Sequence, residues 1–274
     1  MKSMRPNVID MHRRAEIHLD EPTLKDKLIS VALWGAGIAW IVPMMGSMTL
    51  LSMVTTPKKL DWLSRIYTRG QVFLTGSRLR VHVHPDVDPN GVYMFVQNHT
   101  NHFDHVTSYA ATPQFKQGLE LESHFKYPVY GWFMTARGTI PVRPGKEGQS
   151  PRIMKRMQEE VDAGHSILAF PEGTRTRDGR VGRFRSGVFF MARDLGISVV
   201  PISVTGMYEV MHKGSLVIRP GQTVTIHVGA PISMKGLSDD QVRVRTEEVR
   251  GIIAAHVDRH WEERARQRGE LEVS

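Results

Sequence analysis

The chain contains no cysteine, which removes disulfide frameworks, thiol nucleophiles and cysteine-ligated zinc sites together and agrees with a reducing compartment. It has no G-x-S-x-G turn of the kind that presents a nucleophilic serine, so a covalent acyl-enzyme has no evident nucleophile. There is no H-E-x-x-H pair, no internal repeat and no low-complexity linker. Negative charge is in short supply: 36 Lys and Arg against 28 Asp and Glu leave a formal net charge of +8. That balance points to an anionic partner, such as nucleic acid, an anionic membrane or a phosphorylated substrate. Nucleic acid fits poorly, because the arginine-rich stretch lacks interleaved aromatics beyond Phe184 and no zinc-finger or basic-zipper pattern occurs. Hydrophobic residues at 41% and charged residues at 23% over 274 positions suit one large globular domain, with or without an appendage.

Charge is missing altogether between residues 28 and 57. Arg13, Arg14, Glu16, Asp20 and Glu21 come before any apolar stretch, which is unlike a signal peptide. As a straight helix the uncharged segment would be roughly 45 Å long, more than the ~30 Å of a hydrocarbon core. Gly35, Gly37, Pro43, Gly46 and Pro57 interrupt it, and Pro43 removes a backbone donor near its middle. Lys25 and Lys27 precede it and Lys58 and Lys59 follow, so flanking charge sets no orientation for a single span. The pattern predicts a bent hairpin dipping into one leaflet from the cytoplasmic face of the cell membrane; a buried core helix pair is the alternative.

Beyond Lys58 the pattern is globular. Leu79 to Pro85 alternates as a strand does, Asp88 to Gly91 has turn composition, and Val92 to Gln97 is a short apolar run suited to an inner strand. Similar runs recur at Ser166 to Phe170, Ser198 to Val204 and Thr223 to Val228. Helical patterns lie between them, at Pro151 to Ala163 and Gly187 to Leu195, each ending before a glycine. Ser238, with Gln241 three residues on, opens an amphipathic terminal helix carrying Val242, Val249, Ile253 and Val257. Strands alternating with helices predict an α/β fold with a mixed, largely parallel sheet flanked by helices.

Two stretches carry chemistry. The first, "QNHTNHFDHVTS" (Gln97 to Ser108), leaves an apolar strand. On a regular helix His99 and Asp104 would sit about 140° apart. They can meet if His99 belongs to the loop after the strand and Asp104 to the first helical turn, where ligand-facing groups of α/β sheets collect. An aspartate bonded to one imidazole nitrogen fixes the tautomer and leaves the other nitrogen basic. A metal site built from His99, His102 and His105 and a purely structural polar turn are the competing readings. The second stretch, "FPEGTRTRDGRVGRFR" (Phe170 to Arg185), also follows an apolar strand. It gathers Arg175, Arg177, Arg180, Arg183 and Arg185, with Gly173, Gly179 and Gly182 keeping the backbone open. Guanidinium forks match phosphate oxygens, and Glu172 among them suits holding an arginine or shaping the turn. A solvated basic loop is the plain alternative.

In order, "NHTNHFD", "GTIPVR" (Gly138 to Arg143), "FPEGTR" and "VVPIS" (Val199 to Ser203) resemble the four blocks of the glycerolipid acyltransferase family, over roughly residues 79 to 231. The best-known members of that family are the 1-acyl-sn-glycerol-3-phosphate acyltransferases. The resemblance implies the glycerophosphate acyltransferase fold, with residues 1–70 as an N-terminal membrane-associated helical segment and 71–274 as the catalytic domain. It implies transfer of a fatty acyl group from a coenzyme A or acyl carrier protein thioester to a lyso-lipid hydroxyl, with no further cofactor, no metal and no acyl-enzyme. By matching position His99 is the general base and Asp104 its partner. Arg143, Arg175 and Arg177 hold the acceptor phosphate, Glu172, Gly173 and Thr174 shape that pocket, and Pro201 supports its floor. Oxyanion-stabilising N–H groups are sought near Gly138 or the helix after His99. The implied partners are a membrane lipid acceptor, the thioester donor and an anionic membrane surface. Another lyso-lipid acceptor, a lysophospholipid hydrolase and a non-catalytic lipid-phosphate module are the alternatives.

Overall fold

The computed structural model describes residue 17, residues 19–143 and residues 151–269; Arg13, Arg14 and Glu16 lie outside them. The chain opens with α1 (Leu24–Leu51), started by a capping box in which Thr23 and Asp26 satisfy each other's backbone N–H groups. Here the structure departs from the hairpin predicted within residues 28–57: α1 runs unbroken through Pro43. A proline deletes one intrahelical bond, and the turns on either side carry the helix across it. The reversal comes after residue 51, and α2 (Asp61–Leu74) packs back on α1. The Trp40 Nε1–H donates to the Tyr67 carbonyl at 3.1 Å, and Met48, Leu63, Tyr67 and Phe133 share one buried cluster.

Downstream, β1 (Arg78–Val83), β2 (Tyr93–Gln97), α3 (Asp104–Ala111), β3 (Lys116–Leu121), α4 (Tyr130–Arg137), β4 (Ile140–Val142) and α5 (Pro151–Asp162) are followed by β5 (Ser166–Ala169), α6 (Gly187–Asp194), β6 (Ser198–Thr205), α7 (Met207–Val210), β7 (Thr223–Val228) and α8 (Asp239–Gln267). The seven strands form one sheet in the order β1-β7-β6-β2-β5-β3-β4. Neighbours run parallel except β6 with β7. The sequence pattern found the inner strands, because β2 and β5 are buried on both faces and read as continuous apolar runs. It passed over β3 and β4, where Lys116, Gln117, Gly118 and Pro141 break that pattern.

Alternation splits the core. Met94 and Val96 of β2, with Ile167 and Val199, pack against Met157, Phe189 and Ile253 from α5, α6 and α8. Phe95, Leu168, Val200 and Ile226 face the other way, toward Ala111, Met207 and Val210. Helix α8 opens with the expected capping box, Ser238 with Gln241, and buries Val242, Val249, Ile253, Val257 and Trp261 along one stripe. Each such side chain contributes about 1.5–3 kcal/mol on full burial. Pro201 lies inside β6, opposite Val96. The parallel arrangement sets the carboxyl ends of β2, β3, β4 and β5 on one side, so the segments leaving them share a rim.

Candidate active site

Asn98, at the end of β2, locks onto β6 by donating to the Val204 carbonyl at 2.9 Å and accepting the Val204 N–H at 2.8 Å. Gln97 donates to the Asp104 carbonyl and Thr107 Oγ1, both at 3.0 Å. These anchors turn the chain so that His99 lies in the loop and Asp104 begins α3, where the helix dipole favours a carboxylate. The His99 Nδ1–H donates to Asp104 Oδ2 at 2.7 Å. Asp104 is 1% exposed. It also accepts the N–H groups of Thr100 and Asn101 and, at 2.8 Å, the Thr100 hydroxyl. With Nδ1 carrying the proton, Nε2 is left as the basic nitrogen. The imidazole stacks on Phe170 with centroids 4.3 Å apart.

The three histidines of this segment do not share one environment. His105 stacks on Tyr67 at 6.4 Å, and burial lowers its pKa. The pKa of His102 is lowered first by burial and then by the charges of Arg175 and His99.

The segment after β5 grips the same loop from the other side. One oxygen of Glu172 accepts the His99 N–H at 2.8 Å and the other accepts the Gly182 N–H at 2.9 Å. The Thr176 N–H donates to the His99 carbonyl at 2.8 Å. Glu172 therefore shapes the turn by binding backbone, and no arginine among the described residues pairs with it. Burial raises its pKa, opposed by those two N–H bonds. Gly173 has φ +68°, and a Cβ there would sit 3.0 Å from the Arg185 guanidinium carbon, so the glycine lets Arg185 cross the turn.

Beside this turn is a cleft of about 600 Å³ lined by Glu172, Thr174, Arg175, Arg177, Arg183 and Arg185, with Lys213 from the loop after α7. Two of the expected cations are elsewhere. Arg180 pairs with Asp258 of α8 at 2.7 Å. Arg143, at the end of β4, binds Glu122, with one contact at 3.0 Å, and does not line the cleft. Strand β3 separates β4 from β5, a gap of about 10 Å between the outer two. Arg143 thus leaves the sheet two strands away from the segment that carries Arg175 and Arg177. Sequence reasoning missed Thr100 as an Asp104 donor, Phe170 as the platform under His99, and Lys213. Only Phe170 carried a signal, as the aromatic closing the strand before "PEGTR".

Residues 78–205 match the family model described as Acyltransferase. Over 174 residues the chain is 32% identical to a chloroplastic 1-acyl-sn-glycerol-3-phosphate acyltransferase of Arabidopsis thaliana, covering 64% of this chain and 47% of that protein. Over 118 residues it is 29% identical to a lyso-ornithine lipid O-acyltransferase of Pseudomonas aeruginosa, covering 43% of this chain and 44% of that one. The chain thus spans about half the length of these two curated relatives. The crystal structure of a 1-acyl-sn-glycerophosphate acyltransferase from Thermotoga maritima shares the fold, with a TM-score of 0.70 at 22% identity over 88% of this chain and 96% of that one.

Proposed function

We propose, from the match of residues 78–205 to the acyltransferase family model, that the protein transfers a fatty acyl group from a thioester to the free hydroxyl of 1-acyl-glycerol-3-phosphate. The observation that carries this reading is the His99–Asp104 pair, with its basic Nε2, beside a cleft lined by arginines. His99 Nε2 takes the hydroxyl proton as the lipid oxygen attacks the thioester carbonyl. The tetrahedral intermediate collapses, the carbon–sulfur bond breaks, and the thiolate recovers the proton from His99. Asp104 holds the ring and stabilises the imidazolium formed in between. Arg175 and Arg177 bind the acceptor phosphate as charge-assisted forks. Both a coenzyme A and an acyl carrier protein thioester satisfy this chemistry.

An apolar surface supports delivery from a bilayer. Leu24, Leu28, Val31 and Ile38 of α1 are exposed, as are Met53, Val54, Trp62 and Phe73 beyond it. Helix α1 is long and apolar enough to cross a membrane. Extracting an acyl chain of roughly fifteen carbons into water would cost about 10 kcal/mol, so the enzyme gains by meeting the lipid at the interface.

Free thiol release from acyl-CoA and from acyl carrier protein thioester, with and without lysophosphatidic acid, tests the reaction. Acceptor-dependent release is expected; release that ignores the acceptor indicates hydrolysis, and none with either donor overturns catalysis. The similarity to a lyso-ornithine lipid O-acyltransferase favours a second acceptor class, which mass spectrometry of products from a lyso-lipid panel distinguishes.

A further inference from the structure

Lys213 lies outside the four sequence blocks, yet its side chain lines the arginine cleft. Its ammonium donates to Thr174 Oγ1 at 2.9 Å and to the Arg175 carbonyl at 3.2 Å. An ammonium has three donors, so one N–H remains for a ligand at the mouth of a cleft whose other cations are Arg175, Arg177, Arg183 and Arg185. Lys213 shares this cleft with four arginines, and such a gathering of positive charge suits an anionic ligand.

The position of Lys213 is controlled from a distance. Its loop closes on itself, with the Arg219 N–H on the Val210 carbonyl at 2.9 Å and the Ser215 N–H on the His212 carbonyl at 3.2 Å. Helix α1 then clamps the loop at two points. Ser30 Oγ accepts the Ile218 N–H at 2.9 Å, and the Trp34 Nε1–H donates to the Leu216 carbonyl at 2.8 Å. Ser30 is a buried hydroxyl at the start of the apolar run of α1, and this contact gives it a partner across the helix boundary. The Trp34 ring also rests 6.2 Å from Phe103, the residue before Asp104. One helix thus touches both the turn that presents Asp104 and the loop that presents Lys213.

We propose that Lys213 is a phosphate-binding residue of this site, held in place by α1 through Ser30 and Trp34. The inference rests on the acyl-transfer reading and adds a residue and a positioning device to it. The phosphate is either the acceptor headgroup or a phosphate of the coenzyme A donor; the chemistry is the same, and the experiment separates them.

Kinetics of the full chain in nonionic-detergent micelles, with lysophosphatidic acid as acceptor and acyl-CoA or acyl-pantetheine as donor, provide the test. Lys213→Ala is expected to raise KM for lysophosphatidic acid about tenfold or more with a much smaller change in kcat, and Lys213→Arg to recover most of it. A rise in KM for acyl-CoA, with acyl-pantetheine unaffected, assigns the phosphate to the donor instead. Ser30→Ala combined with Trp34→Phe, which keeps a ring against Phe103, is expected to raise the same KM about threefold to fivefold. On the Lys213→Ala background it should add nothing, because both changes act through one contact. Binding of sn-glycerol 3-phosphate or adenosine 3′,5′-bisphosphate, measured by calorimetry, reads the site without turnover and should weaken for at least one of them in Lys213→Ala. Unchanged KM values and unchanged binding of both probes overturn the assignment while leaving acyl transfer intact. An equal unclamping effect in both backgrounds overturns the role of α1. Absence of acceptor-dependent thiol release in the unsubstituted chain refutes the acyl-transfer reading itself, and the calorimetric arm then decides the anion site alone.

Discussion

At the scale of single residues, the site works by holding one imidazole from three directions. Asp104 takes its Nδ1–H, Phe170 supports its face, and Glu172 and Thr176 grip its backbone. His99→Ala is expected to lower kcat by about 10²–10⁴ with an unchanged melting curve. Asp104→Asn should cost a similar factor, because an amide cannot fix the tautomer or stabilise imidazolium. The two carboxylates differ in kind: Asp104 acts on the ring, Glu172 on the backbone. The arginines also divide. Arg175→Ala is predicted to raise KM for a phosphate-bearing acceptor about tenfold, whereas Arg143→Ala, which removes a partner of Glu122 on an exposed pair, should shift it about twofold or less. Initial-rate kinetics on the two purified variants check the split; equal effects would return Arg143 to the phosphate site.

Between elements, small residues and ring stacks decide which surfaces can meet. Gly70 of α2 lies under the Trp40 indole, and a methyl group there would overlap the ring. Gly70→Ala should therefore destabilise the protein by about 1–3 kcal/mol despite raising helix propensity, which chemical denaturation would register. At the opposite edge of the sheet, His82 of β1, His227 of β7 and His256 of α8 form a stack with centroid spacings of 4.8 and 4.2 Å. Burial, then the neighbouring His256, His82 and Arg259, push His227 down to about 4. The unfolded chain, with histidine near 6.5, therefore binds more protons between those values. The contribution is fully present above about pH 6.5 and is lost as pH falls toward 4. The melting temperature is accordingly expected to be lower at pH 5 than at pH 7.5, and His227→Gln to narrow that gap in calorimetry.

For the molecule as a whole, charge and apolar surface are segregated. The cleft gathers Arg175, Arg177, Arg183, Arg185 and Lys213, while α1 and its surroundings carry exposed Leu24, Leu28, Val31, Met53 and Val54. A long helix that is apolar all round is stable where protein or lipid covers it. Val31 is 71% exposed, so Val31→Asp should leave thermal stability unchanged. If that face enters a bilayer, the buried carboxylate should cut co-sedimentation with anionic vesicles by about a hundredfold. Vesicle binding indifferent to this substitution would remove α1 from the membrane interface.

The sequence by itself determined the class of fold and the pairing of His99 with Asp104. Inner strands must be apolar on both faces, and a terminal helix must carry an apolar stripe, so β2, β5, β6 and α8 were legible from local pattern. His99 and Asp104 were legible for a related reason: the two are close enough along the chain for one turn to join them. The tertiary structure alone decided contacts between distant segments, since local pattern carries no information about which strand becomes whose neighbour. Strand order separated Arg143 from the other arginines, and α8 withdrew Arg180 from the cleft. The clamp of α1 on the loop after α7 brought in Lys213, which is some forty residues beyond Thr174 in the chain and 2.9 Å from it in space.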